Sequence, residues 1–166
     1  MAKALMIIAP SGYQDFEYGE TRKVLEKKGH EVITSSTVAV AQGALGGETQ
    51  IDVLFGEIDP QEYDAVIFVG GPGTAIYFQN SVAHKLAREF AESGKITAAI
   101  CIAPVILANA GLLEGKKSTV FPSGAEDIMR KGALFTDSAI EIDGNIVTAN
   151  GPKAARKFGK KIAKLL

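Results

Sequence analysis

A disulfide is impossible within this chain, because Cys101 is the single cysteine among 166 residues. A lone thiol suits a reducing compartment, so the expected location is the cytoplasm. Histidine is nearly as scarce. His30 and His84 lie far apart, leaving no metal-site spacing, and no metal is expected. Charge is almost balanced, with 18 Lys and Arg against 19 Asp and Glu and a net charge of −1. Neither nucleic acid nor an anionic membrane is therefore an expected partner. No apolar stretch approaches membrane-spanning length. The opening run from Ala4 to Ala9 is expected to be part of the fold rather than a signal peptide, being short and abruptly stopped by Pro10. Phosphate and dinucleotide fingerprints are missing too: Gly70-Gly71-Pro72-Gly73 lacks both their spacing and a following lysine.

What is present is the composition of an ordinary globular protein, in a length that fits one domain over 1–166 with a real core. Apolar runs predict buried strands over 3–9 and 65–69, with a third starting at Ile96 and ending before Pro104. A shorter strand is expected over 31–36. Between them fall helical patterns: 15–28 capped by Asp15, 82–92 capped by Ser81, 105–113, 124–130 and 153–166. Residues 37–55 read as a hairpin or added strands at a sheet edge, and an exposed edge there is a possible dimer contact. Short extended pieces are expected at 118–121 and 133–135. Asp143-Gly144 predicts a hairpin between 139–142 and 145–148. Strands alternating with helices imply an α/β fold, a mostly parallel sheet with helices on both faces. Sites in such sheets form beyond the carboxyl ends of the strands. That rule brings together the loop 10–15, the glycine turn 70–74 and the turn at Cys101.

Cys101 falls between a buried strand and a helix whose first turn holds Pro104, the position of a nucleophile elbow. A buried, inert cysteine fits the same position. If the helix start governs the thiol, its pKa should lie below the free value of about 8.5. Glu17, in the first turn of the first helix, is the candidate to share a proton with that thiol, with Asp15 and Glu20 as competitors. Backbone N–H groups of the Gly70-Gly71 turn could face an oxyanion, or the glycines could form a plain tight turn. His30 and His84 read as solvated surface residues. The lysines and arginine of the last helix, including Arg156 and Lys160, read as its solvated face, with a nucleic-acid patch as the minor alternative.

The set Asp15-Phe16-Glu17, Gly29-His30-Glu31-Val32, Val69-Gly70-Gly71-Pro72-Gly73, Ala98-Ala99-Ile100-Cys101, Gly111-Leu112-Leu113 and Asp143-Gly144-Asn145 resembles the ThiJ/PfpI superfamily over nearly the whole chain. The resemblance implies a flavodoxin-like three-layer sandwich, usually assembled as homo-oligomers. It implies Cys101 as nucleophile, Glu17 against its sulfur, and backbone N–H groups of Gly71 and Ile102 near a bound oxyanion. Two positions depart from the pattern. Ile102 follows the cysteine where the PfpI branch has histidine, and Phe121 precedes Pro122 where the deglycase branch has histidine. Peptide hydrolysis by a Cys–His pair loses its base here. The expected function is a cysteine-dependent, cofactor-free glyoxalase or deglycase-like hydrolase acting on small dicarbonyls or their adducts. A redox-sensing or chaperone-like stress protein with an oxidisable Cys101 is the alternative, and a PfpI-type protease or amidase is the third reading.

Overall fold

The computed structural model describes all residues, 1–166. Its first half comprises β1 (Lys3–Ile7), β2 (Ser11–Tyr13), α1 (Asp15–Lys27), β3 (Glu31–Ser36), β4 (Val40–Gly43), β5 (Glu48–Gln50) and β6 (Val53–Leu54). β7 (Ala65–Phe68), α2 (Ser81–Glu92), β8 (Ile96–Ile100) and α3 (Pro104–Asn109) follow. The last third holds β9 (Lys117–Ser118), α4 (Ala125–Arg130), β10 (Leu134–Phe135), β11 (Ile140–Asp143), β12 (Ile146–Ala149) and α5 (Ala155–Leu165).

The unbroken apolar runs become the centre of a seven-stranded sheet, in the order β11-β12-β8-β7-β1-β3-β6. All its pairings are parallel except that of β11 with β12, the hairpin expected at Asp143-Gly144. Alternate side chains of β1 enter two separate cores. Leu5 and Ile7 pack with Phe90 of α2 and Ile106 of α3, whereas Ala4 and Met6 pack with Leu25 of α1 and Phe158 of α5. Burial on both faces explains why these strands show no polar alternation. Each fully buried Phe or Leu contributes about 1.5–3 kcal/mol to this arrangement. On the outer layer α1 and α5 touch closely at Gly159, where an added Cβ would stand 3.1 Å from Val24 and 3.2 Å from the Thr21 carbonyl. The result is the flavodoxin-like α/β sandwich expected from the sequence. No helix is long and apolar enough to cross a membrane.

Several local expectations are corrected. Gln14, not Asp15, caps α1, its side-chain oxygen accepting from the Glu17 N–H at 2.7 Å. The Asp15 carboxylate instead accepts from the N–H groups of Leu45 and Gly47, tying α1 to the β4–β5 hairpin. Asn80 rather than Ser81 caps α2, because its longer amide reaches the N–H groups of both Val82 and Ala83. α3 is shorter than expected, ending at Asn109 as the chain turns through Gly111 at φ +84°. The segment 37–55 is not simply an edge of the main sheet. β4 and β5 join β2 in a separate three-stranded sheet, and only β6 extends the central one.

Candidate active site

Parallel strands of one sheet end together, and here β1, β7, β8 and β12 all end beside Cys101. The cysteine adopts φ +66° and is the sole non-glycine residue with positive φ. For an L-residue this costs about 1–2 kcal/mol, so neighbours must enforce it. They do so from both sides. The Cys101 N–H donates to the Ala149 carbonyl at 2.9 Å, and its carbonyl accepts from the Phe121 N–H at 2.7 Å.

Glu17 projects from the start of α1 into the space behind the sulfur and is completely buried. Its Oε1 accepts from the Gly70 N–H at 3.1 Å, while Oε2 accepts no N–H or O–H from the protein. The thiol of Cys101 is the polar group left beside this carboxyl. Gly70 makes the approach possible: a Cβ there would lie 2.6 Å from Cys101 Cβ and 2.7 Å from Glu17 Oε1. Gly71, at φ +117°, is equally constrained, since a Cβ would strike the Gly12 carbonyl and the Gln14 nitrogen. The Gln14 N–H closes this junction by donating to the Gly70 carbonyl at 2.9 Å.

Burial pushes Glu17 up from its ordinary 4.5 to about 7, against the opposing hydrogen bonds from Cys101 and Gly70. Cys101 is also pushed up. Burial is the main cause, followed by the nearby Glu17 charge and the hydrogen bond to it; the N–H groups of Ile102 and Gly71 pull the other way. The expected depression of the thiol below about 8.5 is therefore overturned. α3 is only six residues long, and Cys101 as a residue is just 8% exposed in a site with a carboxyl beside it. Desolvation outweighs the helix start. Glu17 is thus the first of the two to ionise, and its charge then holds the thiol protonated.

A pocket of about 380 Å³ opens in front of the sulfur. Pro72, Ala75, Phe78, Ile102, Phe121 and Pro152 form its walls, and Gln14 and Ser123 supply the polar side chains. Of the residues expected from the sequence, Cys101, Gly71 and Ile102 line this pocket. Glu17 and Gly70 stand behind the cysteine. Sequence reasoning did not single out Gln14, Ala75, Phe78, Ser123 or Pro152. The strand-end rule had a signal for Gln14, which lies in the loop 10–15 beyond β1, and for Pro152, three residues past the end of β12.

The competing groups are engaged elsewhere. Asp15 holds the hairpin, and Glu20 pairs with Arg156 at 3.1 Å. Contrary to expectation, both histidines are half-buried and hydrogen-bonded. His30 Nδ1 accepts from the Ala2 N–H at 3.1 Å, and His84 Nε2 donates to the Phe78 carbonyl at 2.7 Å. Neither lines the pocket.

The DJ-1/PfpI family profile matches residues 2–165. An uncharacterised protein of Methanocaldococcus jannaschii is 37% identical, over 99% of this chain and 82% of its own. Deglycase PfpI of Pyrococcus furiosus is 31% identical, with 98% of each chain covered. The crystal structure of a ThiJ/PfpI domain protein from Brachyspira murdochii superposes with a TM-score of 0.96 at 36% identity, covering 98% of this chain and 95% of that one. With the family profile matched over residues 2–165 and relatives above 30% identity matching this chain nearly end to end, the chain belongs to the DJ-1/PfpI family.

Proposed function

We propose that this protein is a cysteine-dependent, cofactor-free glyoxalase or deglycase-like hydrolase acting on small reactive dicarbonyls or their adducts. The observation that carries the reading is the Glu17 carboxyl, held near 7, against the thiol of a strained Cys101 with no imidazole in the pocket. A group with a pKa near ambient pH both takes and returns protons readily.

For a 2-oxoaldehyde the sequence is balanced without an added oxidant. Glu17 takes the thiol proton as Sγ bonds to the aldehyde carbon, whose C=O π pair moves to oxygen. The N–H groups of Gly71 and Ile102 stabilise that oxygen until Glu17 returns the proton, giving a hemithioacetal. Glu17 then removes the hydrogen from the same carbon as a proton, and the electron pair moves toward the adjacent ketone. Returning the proton to the former ketone carbon, while the hemithioacetal hydroxyl proton passes to the former ketone oxygen, gives a 2-hydroxy thioester, so one carbon is oxidised and its neighbour reduced. Water adds to the thioester carbonyl, the S–C bond breaks, and a 2-hydroxy acid leaves. Deglycase-like release of a dicarbonyl adduct uses the same sulfur and carboxyl. Amide hydrolysis asks more, because the leaving amine needs a proton from an acid such as histidine, and His30 and His84 are both committed elsewhere.

Methylglyoxal consumption, followed with 2-hydroxy acid formation, tests the proposal. Cys101→Ala should lose turnover to background, and Glu17→Gln should lose about a hundredfold or more. Cys101-dependent peptide cleavage without any dicarbonyl turnover would overturn it in favour of the amidase reading.

A further inference from the structure

None of the ten residues lining the Cys101 pocket is an ionised acid or base. The one nearby carboxyl, Glu17, lies behind the sulfur and outside the lining. Two aromatic rings, Phe78 and Phe121, face the cavity with Ile102, and their backbone positions are set in advance. The Phe78 carbonyl accepts from both His84 Nε2 at 2.7 Å and Asn109 Nδ2 at 2.9 Å. The Phe121 N–H is tied to the Cys101 carbonyl at 2.7 Å, fixing this wall to the elbow itself. Ile102 packs over Gly124, where an added Cβ would lie 2.9 Å from Ile102 Cδ1.

We infer that this pocket selects substrates whose substituent beyond the reacting carbonyl is uncharged and apolar, an aryl group above all. An aryl 2-oxoaldehyde is then a better substrate than methylglyoxal. The inference rests on the proposed dicarbonyl chemistry for the reacting end and on the pocket alone for the rest. About 380 Å³ is the size of site that encloses a ring-bearing ligand, and a three-carbon dicarbonyl fills only a fraction of it. The remaining space would hold water against apolar walls, and an aryl group displaces that water favourably. Offset or edge-to-face contacts with Phe78 and Phe121 add to the preference. A carboxylate or ammonium on the same substituent would shed its hydration without meeting a counter-charge. Ile102 stands where the PfpI branch of the resemblance has histidine, and Phe121 where the deglycase branch has it; both positions are apolar here.

The test uses the full chain with three substrates: methylglyoxal, phenylglyoxal and 4-carboxyphenylglyoxal. The value of kcat/KM should rise at least about tenfold from methyl to phenyl, and fall at least about tenfold when the ring carries a carboxylate. Phe121→Lys should narrow or invert the ratio between the two aryl compounds, an internal comparison that general damage to the enzyme does not mimic. A second readout requires no turnover. Cys101 alkylation by N-phenylmaleimide should outpace that by N-(4-carboxyphenyl)maleimide by at least about tenfold, after normalisation to a small free thiol. Selective alkylation without dicarbonyl turnover would sink the enzymatic proposal and leave the pocket's preference standing. Indifference to the ring charge in both assays, or methylglyoxal as the preferred substrate, would overturn the inference.

Discussion

At the amino ends of the central strands, polar groups have partners. The Lys3 N–H donates to the Asp64 carboxylate at 2.8 Å, and the Lys95 ammonium donates to the Pro60 carbonyl at 2.8 Å. The Asn145 carboxamide spans two carbonyls, those of Ala91 and Lys95, at 2.9 Å each. At the carboxyl ends the same strands run into the opposite condition. Cys101 holds a backbone conformation that side chains avoid, and Glu17 is buried with one oxygen accepting nothing from an N–H or O–H. One end stabilises the fold; the other holds a strained backbone and a buried carboxyl with the Cys101 thiol as its neighbour. That asymmetry is expected of a chain whose exceptions to good local structure are kept where chemistry occurs.

The largest test of this contrast is the acid at Glu17. Its folded-state pKa lies above the ordinary value, so the native protein binds this proton more tightly than the unfolded chain does. The stability it confers is fully present below about pH 4.5 and is lost as pH rises through about 7. Glu17→Gln keeps an oxygen for the Gly70 N–H and cannot ionise. It should exceed the wild type in unfolding free energy by about 3 kcal/mol at about pH 8, and match it closely near pH 4. Urea unfolding at the two pH values decides the matter, and equal stability at the higher pH would remove the asymmetry.

A smaller effect is expected at the elbow. Cys101→Gly and Cys101→Ala both delete the thiol, but only glycine relieves the positive φ. The glycine variant should be more stable by about 1 kcal/mol, read from the denaturation midpoints at equal slope. An alanine variant as stable as the glycine one would mean that the turn carries no strain.

A stability change of similar size, with the smallest effect on activity, belongs to the amino end. Asn145→Ala removes two hydrogen bonds to carbonyls and should cost about 1 kcal/mol in thermal or chemical unfolding. Its kcat/KM should stay within about twofold of the wild type, since the residue is at the far end of β12 from the pocket. A large loss of activity without a loss of stability would show that the two ends are not independent.

The central strands were legible because residues 4–9, 65–69 and 98–100 are apolar without interruption, and a run that buries both faces needs no distant information to be recognised. Cys101 was legible for a related reason: a buried strand followed at once by a proline-initiated helix leaves few places for the intervening residue. Helix caps were less so. Asp15 and Ser81 are good caps by residue type, but Gln14 and Asn80 precede them and have side chains long enough to reach the free N–H groups. Asp15 was left to bind a hairpin some 30 residues on, a contact local pattern does not show.

By itself, the sequence determined the alternation of strands and helices, the placing of Cys101 at a turn, and the shortage of histidine that disfavours a Cys–His pair. These are properties of neighbouring residues and of composition. The tertiary structure decided which of three nearby carboxyls meets the sulfur and the direction in which its thiol shifts. It also decided which apolar side chains wall the pocket. Each of these depends on desolvation and on contacts between segments far apart in the chain. The helix start beside Cys101 was visible in the sequence, but the burial that outweighs it arises only when α1, the Gly70 turn and the Phe121 loop close around the cysteine.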